Sequence, residues 1–204
     1  MTRQGSIGRM APNPRRGTSW CARLLRSVGP FCLLLVAHEA FCQQTRQDTK
    51  PTEYEVEAAY LSNFGRFIES SQRPVTTGDS FGICVYGQDP FGSLLDAALK
   101  GESIGGAPMM ARRITALDEI PGCRILFISQ SKENQLPVIL DSLRHAGVLT
   151  VSDIAGFTRR GGMIEFVLEG NRVRFEINVA AAQRAGLALS SQLLKLAVTV
   201  RRTP

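Results

Sequence analysis

Apolar and polar positions along the chain fall into blocks whose period predicts an element each. Ala58, Leu61, Phe64, Gly65 and Ile68 recur at helical spacing, flanked by Tyr60 and Phe67, which predicts a helix over residues 53 to 69. Thr52 and Glu55 form its capping box. Glu53, Glu55 and Glu57 sit where the helix dipole favours negative charge. Gln72 to Asp79 is a polar turn with Pro74 and Gly78. Phe81–Tyr86 (FGICVY) is a continuous apolar run and predicts a buried strand. Asp89 then serves as a cap with Pro90 at the first helical position, and Phe91, Leu94, Leu95 and Leu99 make the apolar face of a helix that Gly101 ends.

The second half continues in the same alternation. Pro108 to Ile114 predicts a short strand whose Arg112 and Arg113 mark an edge or exposed face. Cys123 to Ser129 predicts a second buried strand, Leu136 to His145 a helix ending near Gly147, and Val148 to Val151 a third core strand. Asp153 to Gly162 is a glycine-containing loop. Met163 to Leu168 and Val173 to Ile177 alternate around Glu169-Gly170-Asn171, which predicts a hairpin. In VRFEINVAAAQRAGLALSSQLLKLA (173 to 197), Asn178 caps one helix, Gly186 stops it and Ser190 caps the next. This order predicts an α/β fold: a single mixed β-sheet with helices on both faces, and a C-terminal β-hairpin followed by two helices.

Charge changes the picture only once it is located. The formal net charge is +6, but residues 1 to 42 hold six arginines and one acid, Glu39. That leaves eighteen of the 24 basic and seventeen of the 18 acidic side chains for residues 43 to 204. This near-neutral body lacks the one-sided positive field that phosphate backbones require, which argues against a nucleic-acid partner. The basic residues of the leader precede an apolar run, Val28 to Ala37, of signal-peptide length and too short to span a bilayer. The expected organisation is a signal peptide over 1–42, a linker over 43–52 and one domain over 53–200, exported to the periplasm. Cleavage after Ala40 or Cys42 fits the small-residue rule poorly, and an uncleaved anchor is the alternative. Two cysteines, Cys84 and Cys123, fall in the domain. In an oxidising compartment they read as a disulfide, with two separate buried thiols or a redox switch as alternatives.

Catalytic chemistry is sparse. The mature region has one histidine, His145, placed in the last turn of a helix, where it serves the C-terminal carbonyls. Cys84 and Cys123 lack the spacing of a zinc site, so no metal and no cofactor is expected. Gly101-Glu102-Ser103-Ile104-Gly105 matches G-x-S-x-G, but a helix ends before it and a strand begins after it, the reverse of a nucleophile elbow. Gly87 to Gly92 follows a strand and opens a helix, a place where α/β folds bind phosphates, without the lysine of a P-loop. Glu165 and Glu176 face one another across the hairpin, read as solvent-facing partners of Arg172 or Arg174. The domain is therefore read as no enzyme.

The series ICVYGQDPFGSLLDAAL, GCRILFIS and LTVSDIAGF…GGMIEFVLEGNRVRFEINVAAAQRAGLALSSQLLKLA, with EYEVEAAYLSNFGRFIE before it, resembles the YfiR-like periplasmic proteins from Tyr54 to Ala197. The resemblance implies an exported α/β domain that represses an inner-membrane diguanylate cyclase by protein contact, thereby controlling cyclic di-GMP and biofilm formation. It further implies an outer-membrane OmpA-like lipoprotein that sequesters the repressor. A homodimer is a further association considered. The family disulfide matches Cys84 and Cys123, while a second bridge of some members has no counterpart. Family partner contacts involve the last strand and C-terminal helices, which carries Arg174, Glu176 and Asn178 forward as partner-binding residues. The alternative function is a small-molecule-binding module serving a transporter or receptor, with its ligand at Gly87 to Gly92.

Overall fold

The computed structural model describes residues 51–70 and 78–202. The expected leader, most of the linker and most of the 72–79 turn lie outside the described residues. In chain order the elements are α1 (Glu53–Phe64), β1 (Ile68–Ser70), β2 (Phe81–Tyr86), α2 (Ser93–Leu99), β3 (Ser103–Ile104), β4 (Ala107–Ile114), β5 (Ile125–Ile128) and α3 (Leu136–Ser142). They continue with β6 (Leu149–Ser152), β7 (Ile164–Glu169), β8 (Arg172–Asn178), α4 (Val179–Arg184), β9 (Leu187–Leu189), α5 (Ser191–Leu196) and β10 (Thr199–Arg201). No helix among the described residues is long and apolar enough to cross a membrane.

Eight strands form one mixed sheet in the order β10-β8-β7-β6-β5-β2-β4-β3. Strands β4, β2, β5, β6 and β7 are parallel neighbours, so the chain steps from β2 outward to β4 and then returns to the other side of β2 for β5. This is a doubly wound order with its reversal between β2 and β5. The β7–β8 hairpin adds an antiparallel strand, and β10 closes that end in parallel with β8. Gly170 and Asn171 both have positive φ, 54° and 61°, the turn geometry that matches strand twist in a two-residue hairpin.

Period-two alternation divides the core. Ile83 and Val85 of β2, Ile125 and Phe127 of β5, and Phe175 and Ile177 of β8 pack with Leu61 and Phe64 of α1 and Leu95 and Leu99 of α2. Cys84, Tyr86, Leu126 and Ile128 point the other way, onto Leu136 and Ile139 of α3 and onto Phe157. Cys84 and Cys123 are bonded, with Cα atoms 5.7 Å apart. The bridge ties mid-β2 to the segment entering β5. There Gly82 comes so close to the Gly122 carbonyl that a Cβ would lie 2.2 Å from its oxygen.

Several boundaries differ from the pattern. The first helix stops at Phe64, because Gly65–Phe67 tightens into a 3₁₀ turn and Ile68–Ser70 pairs antiparallel with β9. Tertiary pairing there overrides the helical period. The second helix starts at Ser93 rather than Pro90: Asp89 accepts the Phe91 N–H at 2.8 Å, a local turn that delays it. The third helix ends at Ser142, so His145 lies in an exposed turn beyond it and not in its last turn. The predicted caps at Thr52, Asn178 and Ser190 are all present. Between and after the last two helices run β9 and β10, strands too short to show a period.

Candidate functional site

The hairpin turn fixes the register so that Glu165 stands opposite Glu176, with Arg174 two residues before Glu176 and Asn178 two after it on the same face. Two carboxylates directly opposite would repel. The 153–162 loop resolves this by folding over Glu165. Its Oε1 accepts the Gly156 N–H at 2.7 Å, and its Oε2 accepts the N–H and the hydroxyl of Thr158, each at 2.9 Å. Glu165 is 5% exposed, so the reading of a solvent-facing partner for Arg172 or Arg174 is corrected: its partners are loop amides. Glu176 is half-buried and pairs with Arg201 of β10 at 3.3 Å. The late strand β10 thus supplies the cation that Arg172 or Arg174 was read to supply.

Thr158 joins the two acids. Its oxygen lies 2.9 Å from Glu165 Oε2 and 3.2 Å from Glu176 Oε2, and its single proton serves one of them at a time. The same oxygen accepts from Arg201 Nε at 3.3 Å. Asn178 is buried and used at both ends: its Oδ1 accepts the Ala181 N–H, capping α4, and its Nδ2 donates to the Thr158 carbonyl, both at 2.9 Å. The network locks the loop, the hairpin, α4 and β10 together. It leaves Arg174, Glu176 and Arg201 as a partly exposed charged row beside the sheet's β10 edge. No nucleophile–base pair is formed by these groups, and the row suits charge-complementary contact with another macromolecule.

Glu57 and Asp153 form a second group of acids. Expected as a helix-dipole partner, Glu57 is 1% exposed, and neither carboxyl oxygen has a hydrogen-bond partner among the described residues. Burial, with the nearby Asp153 and Glu53 charges, pushes it up to about 9, so it is neutral at neutral pH. Burial and the Glu53 charge also raise Asp153, which hydrogen-bonds with the Tyr54 hydroxyl. The signal was present in the sequence. Position 57 falls on the stripe of Tyr54, Ala58, Leu61 and Phe64, so it had to face the core.

The other candidates are placed plainly. Ser103 sits exposed on β3, after a helix and before a strand. At Gly87 to Gly92, Asp89 occupies the turn and pairs with Arg113 at 2.8 Å. No group of three or more histidine, cysteine or acidic side chains among the described residues could hold a metal ion.

A family model described as YfiR/HmsC-like matches residues 54–198. No curated protein matches the chain. Among solved structures the chain is similar to a conserved domain protein from Vibrio cholerae O1 biovar El Tor str. N16961, at 9% identity and a TM-score of 0.49, covering 74% of this chain and 60% of that one. It is also similar to an ABC domain in complex with L-Trp from Streptococcus pneumonia, at 11% identity and a TM-score of 0.47, covering 70% of this chain and 60% of that one. The chain thus spans 60% of the length of each of these two structures.

Proposed function

We propose, from the premise that this chain belongs to the YfiR/HmsC-like family, that it is a periplasmic regulatory protein that represses an inner-membrane diguanylate cyclase by direct contact. The observation that carries this reading is the extent of the family match, residues 54–198, which takes in every strand of the sheet except β10. Repression works by occupancy. A partner that binds the repressor, such as an OmpA-like outer-membrane lipoprotein, withdraws it and shifts the cyclase toward its active conformation.

The row beside β10 supports this reading. Arg174 and Glu176 offer opposite charges on one strand face, and Asn178, buried behind them, fixes the strand end from which they project. In this proposal Arg174 and Glu176 touch the cyclase and Asn178 sets their geometry. The test is a pulldown of the exported protein with detergent-solubilised membranes, identified by mass spectrometry. Recovery of a membrane protein carrying a diguanylate cyclase domain is expected. Recovery of none contradicts the proposal.

A further inference from the structure

We propose that the cleft between α3, the turn at 158–163 and α4 binds a small organic anion, with a carboxylate or phosphate head and an apolar body. The cleft holds about 450 Å³, within the roughly 300–1,000 Å³ of small-molecule sites. Its wall includes the apolar residues Leu140, Leu143 and Met163, and three arginines, Arg144, Arg160 and Arg184. These arginines come from three separate segments, after α3, from the loop and from the end of α4. They face a single lining acid, Asp141. Three arginines on one cleft are suited to a head with several acceptor oxygens, because each guanidinium can take a planar pair of them.

The existing partners of these arginines are weakly held. Arg144 pairs with Asp141 at 2.6 Å, and Arg160 pairs with the Glu133 carboxylate at 2.9 Å and donates to the Glu133 carbonyl at 3.2 Å, all four side chains being more than a third exposed. Such exposed pairs contribute roughly 0–1 kcal/mol, so a ligand head displaces them at little cost. Arg184 makes no ion pair among the described residues. Thr150 lines the same cleft, is 1% exposed, and accepts the Met163 N–H at 3.2 Å. Its hydroxyl proton donates to no group among the described residues, which leaves one buried donor for the ligand. Each polar feature thus has an apolar neighbour within the same hollow, and an amphipathic anion uses both. A bare ion would leave Leu140, Leu143 and Met163 unused.

The site is independent of the repressor reading, since it is tested on the isolated protein with no membrane partner. The full chain is purified and titrated calorimetrically, at constant ionic strength, with benzoate, phenyl phosphate and inorganic phosphate. The same titrations are run on Arg184→Ala and Arg144→Gln. Both positions are exposed, and the unliganded melting temperature reports whether each variant folds as the parent does. Saturable binding of benzoate or phenyl phosphate, weakened at least tenfold in both variants with unchanged unliganded melting, is expected. The tighter of the two organic anions identifies the head. No saturable binding of either, equal binding by the variants, or inorganic phosphate binding as tightly as phenyl phosphate overturns the proposal.

Discussion

Glu165 and Glu176 stand directly opposite one another across the β7–β8 hairpin, and each has its own set of partners. Glu165 turns into the loop and takes three hydrogen bonds from Gly156 and Thr158, while Glu176 turns toward Arg201. The hairpin register forces the acids together; the loop and the last strand make that register tolerable. The cluster therefore ties the order of the 153–162 loop to the strand that carries Arg174 and Glu176.

Removing the buried acceptor should be costly. Glu165→Ala leaves the Gly156 and Thr158 N–H groups without a partner, while the Thr158 hydroxyl keeps Glu176, with an expected loss of about 3 kcal/mol of stability. Thr158→Val removes one hydroxyl and should cost about 1 kcal/mol. Urea denaturation of the two variants checks the order. Equal and negligible effects would show that the loop is not held by Glu165.

Glu57 makes stability depend on pH. Its folded value is raised to about 9, well above the value of about 4.5 for an ordinary glutamate. The folded state therefore holds a proton that the unfolded state releases. The resulting stabilisation is fully present below the unfolded value and is lost as pH rises through the folded one. Between pH 5 and 8 this single group lowers stability by about 1.4 kcal/mol per pH unit. Glu57→Gln, uncharged in both states, should remove that slope and be more stable than the parent at pH 8. Parallel pH profiles for the two proteins would contradict the burial argument.

The disulfide is a structural staple of the sheet. Cys84 and Cys123 close a loop with a sequence separation of 39, worth about 4 kcal/mol in the chain-entropy model. Reduction, or the double substitution of both cysteines by alanine, should lower the denaturation midpoint accordingly. Both sulfur atoms are fully buried, so reduction of the folded protein should also be slow until denaturant opens it.

The sheet and its caps were legible because their signals are local. The FGICVY run, the Thr52–Glu55 box, the Asn178 and Ser190 caps and the Gly170-Asn171 turn each act within a few residues. What escaped depends on distant partners. Strand β10 exists because Thr199–Arg201 finds β8, and β1 exists because Ile68–Ser70 finds β9. The facing of Glu165 and Glu176 could be read from the hairpin, but their partners could not. Thr158 and Arg201 reach them across 7 and 25 residues of sequence, through a loop without periodicity. Glu57 is the exception. Its burial is legible from its place on the apolar stripe, while the acids of the first turn, Glu53 and Glu55, suffice for the helix dipole.

If the charged row is the partner surface, a charge reversal there separates contact from folding. Arg174 is half-buried and forms no ion pair among the described residues. Arg174→Glu removes no ion pair but adds an acid near Glu176, so it should lower the melting temperature by only about 2–4 °C, the shift of about 1 kcal/mol, and leave the protein folded. It should also weaken capture of the membrane cyclase at least tenfold. Full capture by this variant would move the partner surface elsewhere.

The central claim is tested most directly by intracellular cyclic di-GMP, measured in the native bacterium after deletion of this chain. The account predicts a rise on deletion, returned to the parental level by the exported wild-type protein but not by Arg174→Glu. A level that deletion leaves unchanged would contradict it.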